Sequence, residues 1–334
     1  MSNDALTHPT DALAIGHALT EAATTAGYAP SIHNTQPWRW RLAGHTLDLF
    51  TDRGRVLAVT DPGARLATLS CGVALHHARM SLAAQGWRVT TTRMPEPADP
   101  DHLGRLRIDG RTAAVDQLAA LHLRAIPLRH TDRRPVTGEP VEPQKLQAIT
   151  AAVIAEDTWL HTLTSDQVLE LASAADHAQR TEADESAWQD ELAYWTGGTR
   201  SAGTGIPDAA IPGRATQTTV PGRDFGHHGD LPISAGHDKT AAFVMLYGRS
   251  DEPRDWLRAG EALSAGWLTA TERGVSVLPH SAPIEVVGTR QAMRVILASA
   301  GYPYLVLRLS TIDPAAAGPP RAPRLAADQI IEQS

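Results

Sequence analysis

Two stretches of this 334-residue chain carry helical and strand-like patterns in a similar order. The first begins with a helical pattern over 11–27, continues into a predicted hairpin over 38–51 and then into an apolar helix over 61–85. Further strands and a helix follow, and then the same kinds of element start again. Roughly 150 residues per domain allow two such units. We therefore expect an α+β fold of two halves, 1–125 and 126–334.

A long segment in the second stretch lacks a regular pattern. Residues 196–238 are rich in Gly, Pro, Ser and Thr, and they lie between a predicted single long helix over 165–195 and an apolar strand over 241–248. Segments of this length without regular structure are uncommon in compact domains and often serve as lids or binding loops. The sequence predicts a lid over 196–238.

The balance of charge argues against polyanionic partners. Thirty basic residues against 37 acidic ones give a formal net charge of -7, so the basic surface that nucleic acids or anionic membranes require is not expected. No apolar run reaches the roughly 18 residues of a membrane span, and residues 1–38 contain no Lys or Arg for the start of a secretory signal. We expect a cytoplasmic protein that binds neither nucleic acid nor membrane.

Arginine supplies nearly all of the positive charge. Lys145 and Lys239 are the two lysines, so 30 − 2 = 28 basic residues are arginines. A guanidinium group stays charged and can bind a planar anion through two hydrogen bonds. Any anion site in this chain is therefore expected to be built from arginine.

The cysteine and histidine content gives little support for a metal site. The single cysteine, Cys71, excludes an internal disulfide and a cysteine-based zinc cluster, and we expect it in the core. In the same helical pattern, His76 and His77 predict one inward and one outward ring. A metal site is conceivable from four residues of the predicted lid: His227, His228, His237 and Asp238. Their spacing fits no zinc pattern, so we expect no metal.

The polar loop between the first helix and the hairpin is the strongest local signal. Residues 31–36 read Ser-Ile-His-Asn-Thr-Gln and are followed by Pro37 and Trp38. Hydroxyl and amide side chains spaced so closely can donate and accept hydrogen bonds to a polar heteroaromatic ring. An irregular capped turn with a structural role is the alternative interpretation.

The pattern Ser-x-x-Asn-x-Gln-Pro-Trp after a helix resembles the flavin-binding loop of the nitroreductase family. The longer run over 29–40, followed by the hairpin and an Asp-Pro helix start, resembles the Acg-like branch of that family, in which two nitroreductase-type halves lie in one chain. The resemblance implies a nitroreductase-like fold, an intrachain pseudo-dimer of two halves that each contain an antiparallel sheet and helices. It also implies a non-covalently bound FMN. In this loop it implies four flavin contacts: Ser31, His33, Asn34 and Gln36.

A second signal is the arginine cluster over 129–135, at the start of the second half. Guanidinium groups beside a hydroxyl suit a phosphate group, because such hydrogen bonds are charge-assisted. A solvated loop with local pairs to Asp132 is the alternative. The nitroreductase family binds the FMN phosphate with an Arg-x-Ser-x-Arg type motif, and by resemblance Arg129, Thr131 and Arg133 match it.

Further contacts are implied nearer the C-terminus. The segment 320–328 resembles the family's late basic segment, which closes on the same phosphate, and it offers Arg321 and Arg324. Arg308 is a further candidate, although a basic residue at a strand end is more often an ordinary surface charge. Pro279 lies in a stretch that resembles the family's Gly-Leu-Gly stretch, whose backbone amides approach the flavin ring.

Each half holds one part of this site, because the polar loop occurs in the first half and the arginine cluster in the second. We expect one composite site and one FMN per chain, in a monomer or a weak homodimer. The resemblance implies an oxidoreductase that takes electrons from NADH or NADPH and passes them to a small organic acceptor, such as a nitroaromatic, a quinone or a metabolite. Because the flavin carries this chemistry, no catalytic side chain is required. The alternative function is flavin sequestration, with FMN stored under a closed lid and no turnover.

Overall fold

The computed structural model describes residues 9–135, 138–196, 202–233, 236–311 and 321–333. The helices and strands, in chain order, are α1 (Pro9–Ala26), β1 (Trp38–Ala43), β2 (Thr46–Thr51), α2 (Arg65–Ala84), β3 (Trp87–Arg93), β4 (His102–Arg111), α3 (Gln117–Ala125), α4 (Pro143–Ile154), β5 (Trp159–Thr162), α5 (Ser165–Asp184), α6 (Ser186–Thr196), β6 (Ala242–Gly248), α7 (Pro253–Glu272), β7 (Val275–His280), α8 (Ala282–Glu285), α9 (Val287–Ile296), β8 (Tyr302–Thr311), α10 (Ala327–Ile330) and β9 (Ile331–Gln333). The mainly antiparallel strands and packed helices confirm the predicted α+β class.

The first sheet contains β1 to β4 and is completed from the far end of the chain. Its strand order is β3-β4-β2-β1-β9. The predicted hairpin forms β1 and β2, and Gly44 takes a φ of 55° in the turn, where a residue without a Cβ is least strained. β9 lies parallel to β1, with Trp40 opposite Ile331. The sequence predicted no strand there, because a three-residue strand has too short a pattern to detect.

The second sheet has the order β5-β6-β8-β7, and all of its pairs are antiparallel. The strongly apolar β6 and β8 form its centre, as their near-continuous hydrophobic runs predict. The division into halves at residue 126 stays a prediction. β9 follows that boundary in sequence but belongs to the first sheet.

Two central helices, α2 and α7, cross with their backbones in contact. A Cβ added at Gly72 would collide with the carbonyl oxygen of Leu257, and one added at Gly260 would collide with that of Leu69. Close packing of this kind requires residues without side chains at the crossing. The helices therefore fasten the two sheet layers to each other.

Helix α2 is covered on all sides, which corrects one expectation. His76 and His77 are both buried, because α1, α3 and α7 all pack against α2. His76 Nδ1 lies 2.8 Å from the Oγ atom of Ser264 on α7. Cys71 is buried and free, as predicted.

Several helix boundaries also differ from the prediction; α2, predicted from Asp61, begins at Arg65. The single helix over 165–195 is divided into α5 and α6 by an extended residue, Glu185 (φ −110°, ψ 109°). Asp184 and Glu185 are unfavourable at the C-terminal end of one helix but favourable at the start of the next, because of the helix dipole. Helix α1 begins at Pro9, two residues before the predicted start. Across the described ranges, every helix is too short or too polar to cross a membrane.

Candidate functional site

A cavity of about 570 Å³ lies between the polar loop, the arginine cluster and the predicted lid. Its volume falls in the range of roughly 300–1,000 Å³ that is typical of small-molecule sites. Predicted site residues in its lining are Ser31, His33, Asn34, Arg129, Thr131, Arg133, Pro279, Arg308, Arg321 and Arg324. Gln36 lies outside the lining. The structure thus brings ten of the eleven predicted residues together, while their contacts with a cofactor stay predictions.

The polar loop is held in a strained conformation. His33, Asn34 and Gln36 have φ values of 44°, 55° and 51°. This left-handed region costs on the order of 1 kcal/mol or more for a residue with a side chain. The Oγ atom of Ser31 helps to hold the loop by accepting a hydrogen bond from the backbone N–H of Gln36 at 2.8 Å. Such strain is typical of functional loops that the surrounding structure keeps in place.

Asn34 joins the loop to two distant segments. Its Nδ2 atom donates to the carbonyl oxygens of Gly205 and Pro323, each at 3.0 Å. Its Oδ1 atom accepts from Arg324 Nη1 at 3.1 Å. The Nδ2 and Oδ1 atoms of Asn34 therefore both help to position the lid and Arg324.

Gln36 has a similar structural role, one layer further from the cavity. Its Nε2 atom donates to the carbonyl oxygen of Gly203 at 2.7 Å, and its Oε1 atom accepts from the backbone N–H of Leu325 at 3.0 Å. The side chain is fully buried. It fastens the lid and the C-terminal segment to the loop.

Two histidines in the cavity wall are held neutral. Burial, and then the charge of the nearby Arg223, lowers the pKa of His33 to about 3. Burial and the charge of Arg308 lower the pKa of His280 to about 3 in the same way. At neutral pH neither ring contributes positive charge, so the charge of the wall comes from its arginines.

Arg129 and Arg324 form what we call the inner pair. The Nη2 atoms of both donate to the same acceptor, the carbonyl oxygen of Tyr28 just after α1, at 3.4 and 3.3 Å. The guanidinium of Arg129 also lies over the ring of Trp267, 4.6 Å from its centroid. Two positive side chains thus lie side by side at one end of the cavity.

The inner pair has hydrogen-bond donors without protein acceptors. Nε and Nη1 of Arg129 and Nε of Arg324 are buried and have no partner among the described residues. Burial, and then the charge of Arg324, lowers the pKa of Arg129 well below its usual range, and burial lowers that of Arg324 to about 10. Because burying unpaired cations is costly, this arrangement favours an anionic ligand.

Arg308 and Thr131 lie beside the second sheet. Thr131 forms a parallel bridge with Val277 of β7. The Nη2 atom of Arg308 donates to the carbonyl oxygens of Asp132 and Arg134, at 3.1 and 2.6 Å. These contacts hold the arginine cluster along the sheet edge. The alternative interpretation, a loop with local pairs to Asp132, applies to Arg134, because Arg134 Nη2 lies 2.8 Å from the carboxylate of Asp132.

Arg133 and Arg223 form what we call the lid pair, because both contact or belong to the lid. The Nη1 atom of Arg133 donates to the carbonyl oxygen of Ala210 at 3.3 Å, and its guanidinium lies 5.5 Å from the ring centroid of Phe225. Burial, and then the charge of Arg223, lowers the pKa of Arg133 to about 10. Arg133 therefore faces a different part of the cavity from Arg129.

Arg223 is clamped between two buried carboxyl groups. It lies 3.0 Å from Glu182 Oε2 on α5 and 2.5 Å from Glu285 Oε2 on α8. Burial raises the pKa of Glu182 to about 8, which outweighs the opposing effect of Arg223. Burial also opposes ionisation of Glu285, but Arg223 holds the pKa of that carboxyl below its usual range. The clamp thus combines an ionised carboxylate, a protonated carboxyl group and one arginine.

The described part of the lid is fastened at further points. The backbone N–H groups of Thr219 and Val220 donate to the carboxylate of Asp238 at 2.8 and 2.9 Å. A small apolar cluster packs the lid against α6, and its members are Leu192, Ile206, Ala210, Ile211 and Phe225. The predicted lid therefore covers the cavity as a fixed wall in this structure. Its residues 197–201 and 234–235 lie outside the described ranges.

Sequence reasoning missed several residues of the cavity wall, and Arg223 and Trp267 are two of them. Arg223 stands alone in a segment without periodicity, and Trp267 follows the ordinary helical pattern of α7, so neither carries a local signal. Where the chain is described, no cluster of three or more potential metal ligands occurs. His227 instead contacts Asp208, with 3.0 Å between Nε2 and Oδ1.

Comparison with known proteins identifies the family. The chain is 35% identical over 319 residues to "Putative NAD(P)H nitroreductase Rv3131" of Mycobacterium tuberculosis, which covers 92% of this chain and 89% of that protein. It is 32% identical over 328 residues to "Putative NAD(P)H nitroreductase acg" of the same species, covering 96% and 97%. The chain belongs to the nitroreductase family. Within that family it lies in the Acg-like branch, as its polar loop predicted.

Family models and solved structures provide less information about this chain than these two relatives do. No family model matches the chain. A nitroreductase structure from Bacteroides fragilis, titled as having bound FMN, is 12% identical and covers 60% of this chain and 92% of its own, with a TM-score of 0.36. One from Anabaena variabilis is 11% identical and covers 80% and 69%, with a TM-score of 0.41.

Proposed function

We propose that the protein is an FMN-dependent oxidoreductase that takes electrons from NADH or NADPH and passes them to a small organic acceptor, such as a nitroaromatic, a quinone or a metabolite. The observation that carries this proposal is the inner pair, whose buried N–H groups lack acceptors at one end of a cavity of suitable size. FMN has a phosphate group to match that end. Family membership gives the reaction class.

The donor set of the cavity fits FMN. Arg129 and Arg324 would bind the phosphate, because paired guanidinium groups and a phosphate dianion form charge-assisted hydrogen bonds. We assign supporting contacts at the same end to Thr131, Arg308 and Arg321, which line the cavity. The sequence placed Arg133 on this phosphate as well, but its contacts lie on the lid side.

The polar loop would face the flavin ring. Ser31 accepts a hydrogen bond from the loop backbone, and its own hydroxyl hydrogen has no described acceptor, so it can donate to a heterocyclic edge. His33 is neutral and lines the same wall, as does Pro279. Asn34 uses both its donors on backbone carbonyls, so its proposed part is to hold the loop and Arg324.

FMN, when bound, supplies hydride and electron transfer, and the chain supplies position and access. The apolar side chains of α2 and α7 in the lining would pack against the ring and keep water away from it. The lid would complete this enclosure through Phe225, which is buried in the cavity wall. This division of work explains why the wall needs no acid or base of its own.

We propose one FMN per chain. The polar loop lies before β1, whereas the inner pair comes from the segment after α3 and from residue 324, so the parts of the site are distant in sequence and each occurs once. We expect a cytoplasmic protein, acting as a monomer or a weak homodimer without nucleic acid or membrane partners.

Flavin sequestration is a second candidate function, and the fastening of the lid favours it. Arg223 contacts two carboxyl groups in the body of the protein, those of Glu182 and Glu285, and the apolar cluster around Phe225 adds packing. A lid held in this way would slow the entry of a donor. The same site would then store FMN rather than turn it over.

Anaerobic mixing of the purified, FMN-loaded protein with NADH or NADPH tests the proposal. Bleaching of the flavin absorbance, followed by its return when a nitroaromatic or a quinone is added, is expected for the oxidoreductase. A flavin that stays oxidised with both donors indicates sequestration. A chain that retains no FMN at all contradicts both functions, and two FMN per chain contradict the composite site.

A further inference from the structure

Helix α3 and the residues beside it have more apolar surface than the fold uses. The inner face of α3 packs against α2 and α7, and its buried residues are Ala119, His122 and Ala125. A helix with apolar residues on further faces is normally covered there as well. Four large apolar side chains of this region are instead 47–57% exposed: Val115, Leu118, Leu121 and Leu128.

These four side chains form what we call the α3 stripe. Leu121 and Leu128 are about two helical turns apart, so they share a face, and Leu118 lies about one turn before Leu121. The helical course continues past the end of α3, because Ile126 has helical angles (φ −50°, ψ −54°). None of the four side chains lines the cavity. The stripe is therefore a surface separate from the candidate functional site.

The two ends of the α3 stripe carry opposite charges. Asp116 caps the start of α3, where its Oδ1 atom accepts from the backbone N–H groups of Leu118 and Ala119 at 2.9 and 3.1 Å. Arg124 lies in the last turn, and both charged residues are exposed. Where the chain is described, neither has an ion-pair partner. Their charges are thus available to a molecule that lies along the stripe.

A second copy of the same helix complements this surface. A two-fold axis beside Leu121 would place α3 antiparallel to α3 of the second copy. Each Leu121 then packs against its counterpart, and Val115 of one copy lies toward Leu128 of the other. The same rotation brings Asp116 of each copy toward Arg124 of the other. Antiparallel helices also place opposite ends of their dipoles side by side.

The size of the α3 stripe favours an ordered partner. Four half-exposed side chains provide an apolar patch on the order of a few hundred Å², whereas a standard stable interface buries about 800 Å² on each partner. A disordered segment would have to pay its ordering entropy from this small patch. In a second copy of the chain, α3 is already folded.

We propose that the α3 stripe is the contact surface of a homodimer of modest affinity, in which two α3 helices pack antiparallel around Leu121 and exchange ion pairs between Asp116 and Arg124. This contact does not depend on FMN, because the stripe lies outside the cavity.

Sedimentation of the FMN-loaded protein over a range of concentrations tests the inference. We expect the 35.7-kDa monomer at about 1 μM and a growing dimer fraction up to about 500 μM, as for a small interface. Leu121→Glu places two carboxylates against each other and should weaken the dimer at least about tenfold. Leu169→Glu is the matched control, because Leu169 is an exposed leucine on α5, and it should leave the dimer unchanged.

Cross-linking tests the geometry of the pair. Leu121→Cys should form a disulfide-linked dimer under oxidation, because antiparallel packing brings the two positions close enough for a disulfide. The native Cys71 is buried and does not compete. Leu169→Cys is the control and should not enrich a dimer.

The charges are tested separately from the apolar contacts. Arg124→Gln and Asp116→Asn should each weaken the dimer by about two- to tenfold, since two exposed ion pairs form in each dimer. Asparagine keeps the capping oxygen of α3. The double variant should be little weaker than either single variant, because each substitution already removes the same pairs.

Three outcomes overturn the inference. They are a protein that stays monomeric at every concentration, a dimer that Leu121→Glu leaves unchanged, and a Leu121→Cys variant that does not cross-link. A monomer in which Leu121→Glu lowers stability would mean that another segment of the same chain covers the stripe. Circular dichroism and flavin content of the variants should match the wild type. A wild-type protein without FMN contradicts the proposed function but not the dimer.

Discussion

The inner pair and the lid pair put the same side chain to different use in one cavity. Arg129 and Arg324 have backbone carbonyl, amide and aromatic contacts and retain buried donors without acceptors. Arg223 of the lid pair has two buried carboxyl partners. The difference indicates that the inner pair is kept for a ligand, whereas Arg223 holds the protein itself together. Arg133 lies between these cases, because it contacts the lid but has no carboxylate within salt-bridge distance in the described chain.

The largest expected effect on stability comes from replacing Arg223, which removes the clamp with Glu182 and Glu285. Arg223→Ala leaves the Glu285 carboxylate buried and unpaired, which should lower the free energy of unfolding by about 3–5 kcal/mol. Chemical denaturation of the apo protein measures this loss. Arg180→Ala, which removes an exposed pair with Asp176, should change the stability by less than about 1 kcal/mol. Similar stabilities for the two variants would contradict a structural role for the clamp.

Substitutions in the inner pair should instead weaken FMN binding more than they lower stability. Arg129→Ala and Arg324→Ala should each weaken FMN binding by about 1.5–3 kcal/mol, the scale of a hydrogen bond to a charged group. The apo protein should lose much less stability than Arg223→Ala does, because no carboxylate is left unpaired. Equilibrium dialysis against FMN and denaturation of the apo variants measure the two quantities. Unchanged FMN affinity in both variants contradicts the assignment of the phosphate site.

The clamp should also give stability a characteristic pH dependence. The pKa of Glu182 is about 8 in the folded protein, whereas a glutamate in an unfolded chain titrates near 4.3. Between these values only the folded state holds the proton, so the free energy of unfolding falls as the pH rises toward 8, by up to about 1.4 kcal/mol per unit.

Comparison with Glu182→Gln isolates this contribution. Six histidines have lowered pKa values and act in the opposite sense, because they bind protons in the unfolded chain near pH 6.5 but not in the folded one: His33, His76, His77, His122, His130 and His280. Since Glu182→Gln keeps these histidines, the stability of the wild type relative to that of Glu182→Gln should decline between about pH 6.5 and 8. Parallel profiles would mean that Glu182 is ionised throughout.

The smallest effect concerns the hydroxyl group at the phosphate end. Thr131→Val keeps the shape of the side chain but removes its donor, and should weaken FMN binding by about 0.5–1.5 kcal/mol. Thr131→Ser retains the hydroxyl and should bind as the wild type does. Dialysis under the conditions used for Arg129→Ala places the three variants on one scale. If valine and serine are equivalent there, the hydroxyl takes no part.

Local patterns were sufficient where neighbouring residues determine the structure. The hairpin of β1 and β2 follows from alternation around a glycine turn, and α2 follows from a helical period that starts after Asp61. The candidate site was also largely predictable, because the polar loop and the arginine cluster are each contiguous in sequence.

Contacts between distant segments were not predictable in this way. The clamp joins Arg223 to residues 41 and 62 positions away, and each carboxyl group alone is typical of a solvated helix surface. The burial of His77 depends on neighbouring helices that pack against α2, and β9 depends on a partner strand near the start of the chain. None of these positions carries a periodic signal of its own.

The crossing of α2 and α7 decides how the cavity can open. Since Gly72 and Gly260 bring the two backbones together, neither helix can roll or slide without driving carbonyl groups into its neighbour. A hinge motion of one sheet relative to the other is therefore blocked at the point where α2 and α7 cross. We therefore expect ligands to enter where the lid moves away from the cavity, and the rate of that movement to limit how fast FMN can exchange.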